Sequence, residues 1–93
     1  MTGRTRIERE VEVVNRAGMH ARPAAEFVKL ATTFSSKITV AKDDLEVNGK
    51  SIMGMLMLAA EQGSTLLVAA DGSDAPDAVS ALTGLIGRGF EEN

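Results

Sequence analysis

The single histidine of the chain, His20, has neighbours in sequence that favour chemistry on a phosphoryl group. Residues 18–25 read Gly-Met-His-Ala-Arg-Pro-Ala-Ala, which places His20 at the start of a predicted helix, with Arg22 and Pro23 in the first turn. Free N–H groups and the positive dipole end at a helix start disfavour an imidazolium, so His20 is expected to be a neutral nucleophile near neutral pH. The same N–H groups and Arg22 would bind phosphoryl oxygens. The pattern predicts a phosphohistidine site, with a plain helix-capping histidine as the alternative.

A strand, a turn and a helix would position that histidine. Partial alternation of apolar and acidic residues over positions 7–14 predicts a half-buried strand, and residues 15–18 predict the turn after it. Gly18 most simply supplies a turn conformation that a side chain would hinder. The helix is predicted from an apolar stripe on one face, made of Ala24, Phe27, Val28, Ala31 and Phe34.

The rest of the chain predicts three more strands and two more helices. Ser51 is a predicted N-cap for a short helix that runs to about residue 59, and Ser73 or Asp74 can cap a last helix. Three glycines are expected to make the end of that last helix fray: Gly84, Gly87 and Gly89. The strands are predicted at positions 37–41, 45–47 and 65–70. The resulting order is β-α-β-β-α-β-α, an α+β arrangement in which an antiparallel sheet would pack its helices on one face.

Composition narrows the class of protein. The chain has 93 residues, enough for one small domain, and its 44% hydrophobic and 25% charged residues are typical of a globular fold. It has no cysteine, no leader-like apolar segment and no run of transmembrane length, which favours a cytoplasmic protein without membrane insertion. A net charge of −3 and only three aromatic residues, all Phe, argue against nucleic-acid binding.

Charge is distributed unevenly along the chain. Residues 1–37 carry a net +3 and residues 38–93 a net −6. Arg16, Arg22 and Lys29 surround the histidine in sequence, so a positive rim would steer acidic partners or phosphate towards it. An ordinary solvated surface is the alternative.

Two motifs at this separation resemble one family. Residues 18–25 are similar to the active-site signature of HPr, the histidine-containing phosphocarrier protein of the bacterial phosphoenolpyruvate:sugar phosphotransferase system. Residues 48–54, Asn-Gly-Lys-Ser-Ile-Met-Gly, resemble the family's regulatory serine motif. The resemblance extends over nearly the whole chain and identifies residues 1–93 as a single HPr-like domain.

The resemblance implies a fold and a function. The fold would be an open-faced β-sandwich, a four-stranded antiparallel sheet of order 1-4-2-3 with the helices on one face. His20 would accept a phosphoryl group from enzyme I, charged by phosphoenolpyruvate, and pass it to IIA domains of sugar or regulatory phosphotransferase systems. The protein would be a monomer without cofactor or metal, and a phosphoryl carrier rather than a stand-alone catalyst.

The resemblance also assigns roles to particular residues. His20 would be the phosphoryl acceptor, Arg22 would stabilise the phosphate, and Ser51 would be phosphorylated by an HPr kinase/phosphorylase. A docking patch is expected at Ile52, Met53 and Leu56. Met55 and Leu58 are predicted to lie in the core instead. Many family members have Asn or Ser three residues before the histidine, whereas this chain has Ala17. One possible side-chain contact to the phosphohistidine is then missing, so backbone amides and Arg22 would supply more of the phosphate binding.

Other functions remain open from the sequence. A nitrogen-branch or purely regulatory HPr paralogue, acting as a binding module, would share the same motifs. A binding module that never carries phosphate would have no need of His20. A small-molecule-binding α+β domain is disfavoured, because the chain has no Gly-rich phosphate loop and no aromatic pocket.

Overall fold

A computed structural model describes residues 5–92 and has the predicted order of elements. A short 3-10 turn, Gly89–Glu91, follows the last helix. The strands and helices are β1 (Arg6–Glu12), α1 (Ala21–Ala31), β2 (Lys37–Lys42), β3 (Leu45–Asn48), α2 (Ile52–Met57), β4 (Thr65–Asp71) and α3 (Ala75–Gly87).

The four strands form one antiparallel sheet of order β1-β4-β2-β3, as the resemblance implied. β4 is therefore central although it is the last strand in the chain. At its middle, Val68 pairs with Arg9 of β1 on one side and with Val40 of β2 on the other. The protein is an open-faced α+β sandwich, with the three helices packed against one face of the sheet.

The core lies between the sheet and the helices. Alternate residues of a strand point to one face, which is why Leu66, Val68 and Ala70 of β4 are all buried against the helices. Met55 and Leu58 also lie in the core, as predicted, with 0% and 3% exposure. The predicted stripe of α1 is buried at Ala24, Phe27 and Ala31, partly buried at Val28, and extends to a partly buried Phe34 beyond the helix end.

Fraying at the end of the last helix stays a prediction, although regular structure continues through this segment. The helix continues to Gly87, the 3-10 turn follows, and Phe90 is only 2% exposed. Burying a Phe side chain stabilises by roughly 1.5–3 kcal/mol, which offsets a cost of about 1 kcal/mol for each helical glycine. Gly89 lies outside the helix with φ of 68°, a left-handed conformation that glycine adopts without strain.

A carboxylate joins the start of α3 to the start of β2. Asp74 occupies the N-cap position of α3 but makes no side-chain bond to its own helix. Its carboxylate instead accepts hydrogen bonds from the N–H groups of Ser35 (2.8 Å) and Ser36 (3.0 Å) and from both hydroxyls. These bonds, led by that from the Ser36 hydroxyl, lower the pKa of Asp74 from 3.8 to about 2.

We expect this carboxylate to give the protein an acid-sensitive part of its stability. Because the folded-state pKa lies below the unfolded value, the contribution is complete above pH 3.8 and disappears as the pH falls through about 2. Asp74→Asn should lower the urea midpoint at neutral pH. In this variant the midpoint should also fall less steeply than in wild type as the pH drops from 3.8 to about 2. Asp77→Asn, in the exposed first turn of the same helix, is the control and should keep the wild-type acid profile. An unchanged profile in Asp74→Asn would contradict this role.

Candidate functional site

The loop between β1 and α1 is fixed by a close backbone approach. Gly18 has φ of 71°, and a Cβ built there would lie 2.4 Å from the carbonyl oxygen of Ala60. The same carbonyl accepts a hydrogen bond from the N–H of Met19 at 2.8 Å, and the Met19 side chain is 4% exposed. Only glycine fits both the backbone conformation and the space, as the sequence indicated for this position.

His20 is the N-cap residue of α1, but its ring does not cap the helix. Its backbone is extended, with φ of −86° and ψ of −169°, and its carbonyl accepts the N–H of Ala24 at 3.0 Å. The imidazole makes no capping bond and its side chain is 42% exposed. The capping alternative therefore fails, and the ring is available for other chemistry.

Arg22 lies beside the ring and is held by two carboxylates. Its Nη1 donates to Glu26 at 3.3 Å, one helical turn along α1, and its Nη2 donates to Oε2 of Glu92 at 2.5 Å. The same Oε2 lies 3.1 Å from Nε2 of His20. Glu92 thus joins the two residues that the sequence singled out. Because Arg22 has these two acidic neighbours, the positive rim is weaker than the charge distribution along the sequence predicts.

Glu92 is the site residue that sequence reasoning missed. Its side chain is 10% exposed, and Oε1 accepts a bond from Nδ2 of Asn15 at 3.0 Å. Burial acts to raise the pKa of Glu92, but the Asn15 bond, the charge of Arg22 and the contact with His20 outweigh it, so the pKa lies below its ordinary value. The only sequence signal is an acidic pair 72 residues from the histidine, and no local pattern links the two.

Asn15 was predicted only as a turn residue, but it has a larger role. It is 3% exposed, and its Nδ2 also donates to the carbonyl oxygen of Gly18 at 2.8 Å. Asn15 therefore ties the loop that precedes His20 to the carboxylate of Glu92. Ala17 is exposed and brings no polar side chain to the site.

Ser51 is the N-cap of α2, as predicted. Its hydroxyl oxygen accepts the N–H of Gly54 at 3.0 Å. The helix ends at Met57, two residues earlier than expected, and Ala59 adopts a left-handed φ of 50° just beyond it.

Exposed apolar side chains follow directly after Ser51. The three predicted residues are exposed, Ile52 by 45%, Met53 by 68% and Leu56 by 38%. Met57, which the sequence interpretation did not assign, is 60% exposed and extends the same surface. We call these four residues the α2 patch.

Among residues 5–92, no group of three or more His, Cys, Asp or Glu side chains could hold a metal ion. No helix in that range is long and apolar enough to span a bilayer.

Comparison with known proteins identifies the family. The profile described as "PTS HPr component phosphorylation site" matches residues 7–88. The chain belongs to the HPr family. It is 43% identical over 86 residues to phosphocarrier protein HPr of Neisseria meningitidis, covering 92% of this chain and 97% of that one. It is also 41% identical to phosphocarrier protein NPr of Proteus mirabilis, with 91% and 96% covered.

Solved HPr structures share the fold. A crystal structure of HPr from Thermoanaerobacter tengcongensis superimposes with a TM-score of 0.90 at 46% identity, covering 94% of this chain and 98% of that one. A structure described as an HPr dimer from the same organism has a TM-score of 0.73 at 48% identity, with 86% and 92% covered.

We expect alanine at Gly18 to cost more stability than alanine at Gly63, because a Cβ at Gly18 has no room. Gly18→Ala would strain a left-handed backbone and drive Cβ into the Ala60 carbonyl, destabilising by about 2–4 kcal/mol. Gly63→Ala is the matched control, since Gly63 also has positive φ but open space around its Cβ position, so only about 1 kcal/mol is expected. Urea unfolding of both variants measures the difference, and equal losses would contradict the steric argument.

Proposed function

We propose that this protein is a phosphocarrier in which His20 accepts a phosphoryl group from enzyme I and passes it to IIA domains of sugar or regulatory phosphotransferase systems. The observation that carries the proposal is the position of the His20 ring. It is 42% exposed at a helix start and makes no capping bond, and it contacts the same carboxylate, that of Glu92, as Arg22 does. Membership of the HPr family supports it.

The helix start suits a phosphorylated ring. Pro23 has no N–H and the N–H of Ala24 bonds to the His20 carbonyl, which leaves the N–H groups of Ala21 and Arg22 for anion oxygens. The planar guanidinium of Arg22 adds a charge-assisted donor. A ring nitrogen can give its lone pair to phosphorus and later leave with the same pair, so transfer is reversible. The protein is then a substrate of its donor and of its acceptor rather than a stand-alone catalyst.

A nitrogen-branch or purely regulatory role is the second candidate. Similar identity to a relative named HPr and to one named NPr favours neither branch. Separate assays with sugar-type and nitrogen-type IIA domains would assign the branch. We further propose that the protein is a cytoplasmic monomer, that it consists of one domain and that it needs no cofactor. Because a relative has been described as a dimer, light scattering of the purified protein tests the oligomeric state directly.

We expect His20→Ala to abolish phosphorylation without unfolding the protein. The ring is exposed and makes no capping bond, so its loss should shift the melting midpoint little. Incubation with enzyme I and phosphoenolpyruvate, followed by intact mass before and after acid treatment, should show one acid-labile phosphate in wild type and none in the variant. Acid-labile phosphate in His20→Ala would refute the carrier assignment.

We also propose that Ser51 is a regulatory phosphorylation site. Ser51 is a partly exposed residue at the start of α2, where a helix dipole tolerates negative charge. The α2 patch begins at the next residue and is proposed as the docking surface for enzyme I and IIA domains, since exposed apolar surface marks partner sites. A phosphate at its edge would have to be desolvated in the complex, which weakens docking. The enzyme that adds it would be an HPr kinase/phosphorylase.

We expect Ser51→Asp to slow charging of His20 by enzyme I while the fold is retained. Asp remains a good N-cap, so the melting midpoint should change little, whereas the new charge lies beside the α2 patch. Ser73→Asp adds the same charge at an exposed position before α3 and serves as the control. Initial rates of phosphorylation measure the effect, and equal rates for Ser51→Asp and Ser73→Asp would exclude the coupling.

A further inference from the structure

Glu92 is the polar partner of the proposed phosphoryl acceptor. Within residues 5–92, the side chain within hydrogen-bond distance of the His20 ring is the Glu92 carboxylate, with Nε2 at 3.1 Å from Oε2 and 3.4 Å from Oε1. A carboxylate only accepts hydrogen bonds, so Nε2 must carry the proton that it receives. Nδ1 then bears the lone pair.

The carboxylate is held firmly in this position. Phe90 is buried and fixes the 3-10 turn, and left-handed φ angles of 55° at Phe90 and 60° at Glu91 turn the chain back towards α1. Asn15 holds the second carboxylate oxygen at 3.0 Å, and only 10% of the Glu92 side chain is exposed. Several independent contacts therefore hold this carboxylate within hydrogen-bond distance of Nε2 of His20.

We propose that Glu92 is a positioning residue for phosphoryl uptake: it binds Nε2–H of His20, presents Nδ1 to the phosphoryl donor, and stabilises the positive charge that the ring gains as the N–P bond forms. The inference rests on the proposed phosphocarrier function and deepens it. A carboxylate that orients a histidine and stabilises its imidazolium is a general device of nucleophile activation.

The step balances without any further reactant. The Nδ1 lone pair forms the N–P bond, while the bond between phosphorus and the donor breaks and the leaving group takes its electron pair. Nε2 keeps its proton throughout, so the ring becomes cationic beside the Glu92 carboxylate. When the phosphoryl group moves on, the N–P pair returns to Nδ1 and the ring is neutral again.

Glu92 also orients Arg22 without using up its donors. The guanidinium has five N–H groups, of which one is directed to Glu92 and one to Glu26. The bond of 2.5 Å to Glu92 holds the guanidinium next to the ring. Arg22 therefore retains N–H groups for phosphoryl oxygens.

The test compares two substitutions that remove different properties of Glu92. Glu92→Gln keeps an oxygen that can accept Nε2–H but loses the charge, whereas Glu92→Ala loses both. Glu91→Gln is the matched control, because Glu91 is 72% exposed and pairs with Arg88 instead. Each folded protein is phosphorylated by enzyme I with phosphoenolpyruvate and, separately, by phosphoramidate as a small donor.

We expect the rate of uptake from both donors to fall in the order wild type, Glu92→Gln, Glu92→Ala, with a total loss on the order of tenfold or more. Phosphorus NMR should show Nδ1-phosphohistidine in wild type and Glu92→Gln, and additional Nε2-phosphohistidine in phosphoramidate-treated Glu92→Ala. An unfolded chain would expose both ring nitrogens to the small donor, so the products are compared only among variants whose circular dichroism matches that of wild type. Glu91→Gln should match wild type in rate and product.

Other outcomes overturn the inference in distinguishable ways. Wild-type rates and products in both Glu92 variants would show that the contact is incidental. Faster uptake in either variant would show that Glu92 blocks the site. If wild type itself takes up no phosphate from enzyme I, the phosphocarrier proposal fails, whatever the Glu92 variants do.

Discussion

The contact between the Gly18 loop and the Ala60 carbonyl is the constraint on which the site depends. It joins the segment before α1 to the segment before β4, so the start of α1 is fixed relative to the sheet. His20 follows two residues later and inherits that position. Asn15 reinforces it by bonding to the Gly18 carbonyl and to Glu92. A rigid loop of this kind limits the reorganisation needed when a charged group arrives at the ring.

Local signals in the sequence predicted much of the structure, and contacts distant in sequence account for what was missed. Ser51 was identified as an N-cap because its partner Gly54 is three residues away. Asp74 also occupies a predicted N-cap position, yet its carboxylate binds Ser35 and Ser36 across the fold, which no local pattern encodes. The regular structure after α3 has a similar origin, since burial of Phe90 depends on the assembled core. Glu92 could not be assigned to the site before this turn was known.

The proposed acceptor site and the α2 patch have different physical properties. The ring and Arg22 lie in a polar network of carboxylates, whereas the α2 patch offers flexible, uncharged side chains, two of them methionines. Flexible thioether side chains adapt to differently shaped partners. A carrier must dock on its donor and its acceptors in turn, and an adaptable apolar surface suits that task.

The central place of β4 has a consequence for how the chain reaches its folded state. β1 pairs with β4 alone, and the register joins residues such as Val11 and Leu66 across most of the chain. Such non-local pairing is slow to form, because the chain loses the entropy of loop closure before the strand contacts can stabilise it. During synthesis β1 has no partner strand until β4 has emerged from the ribosome. A nascent or truncated chain would thus present open strand edges to proteases and to other unfolded chains.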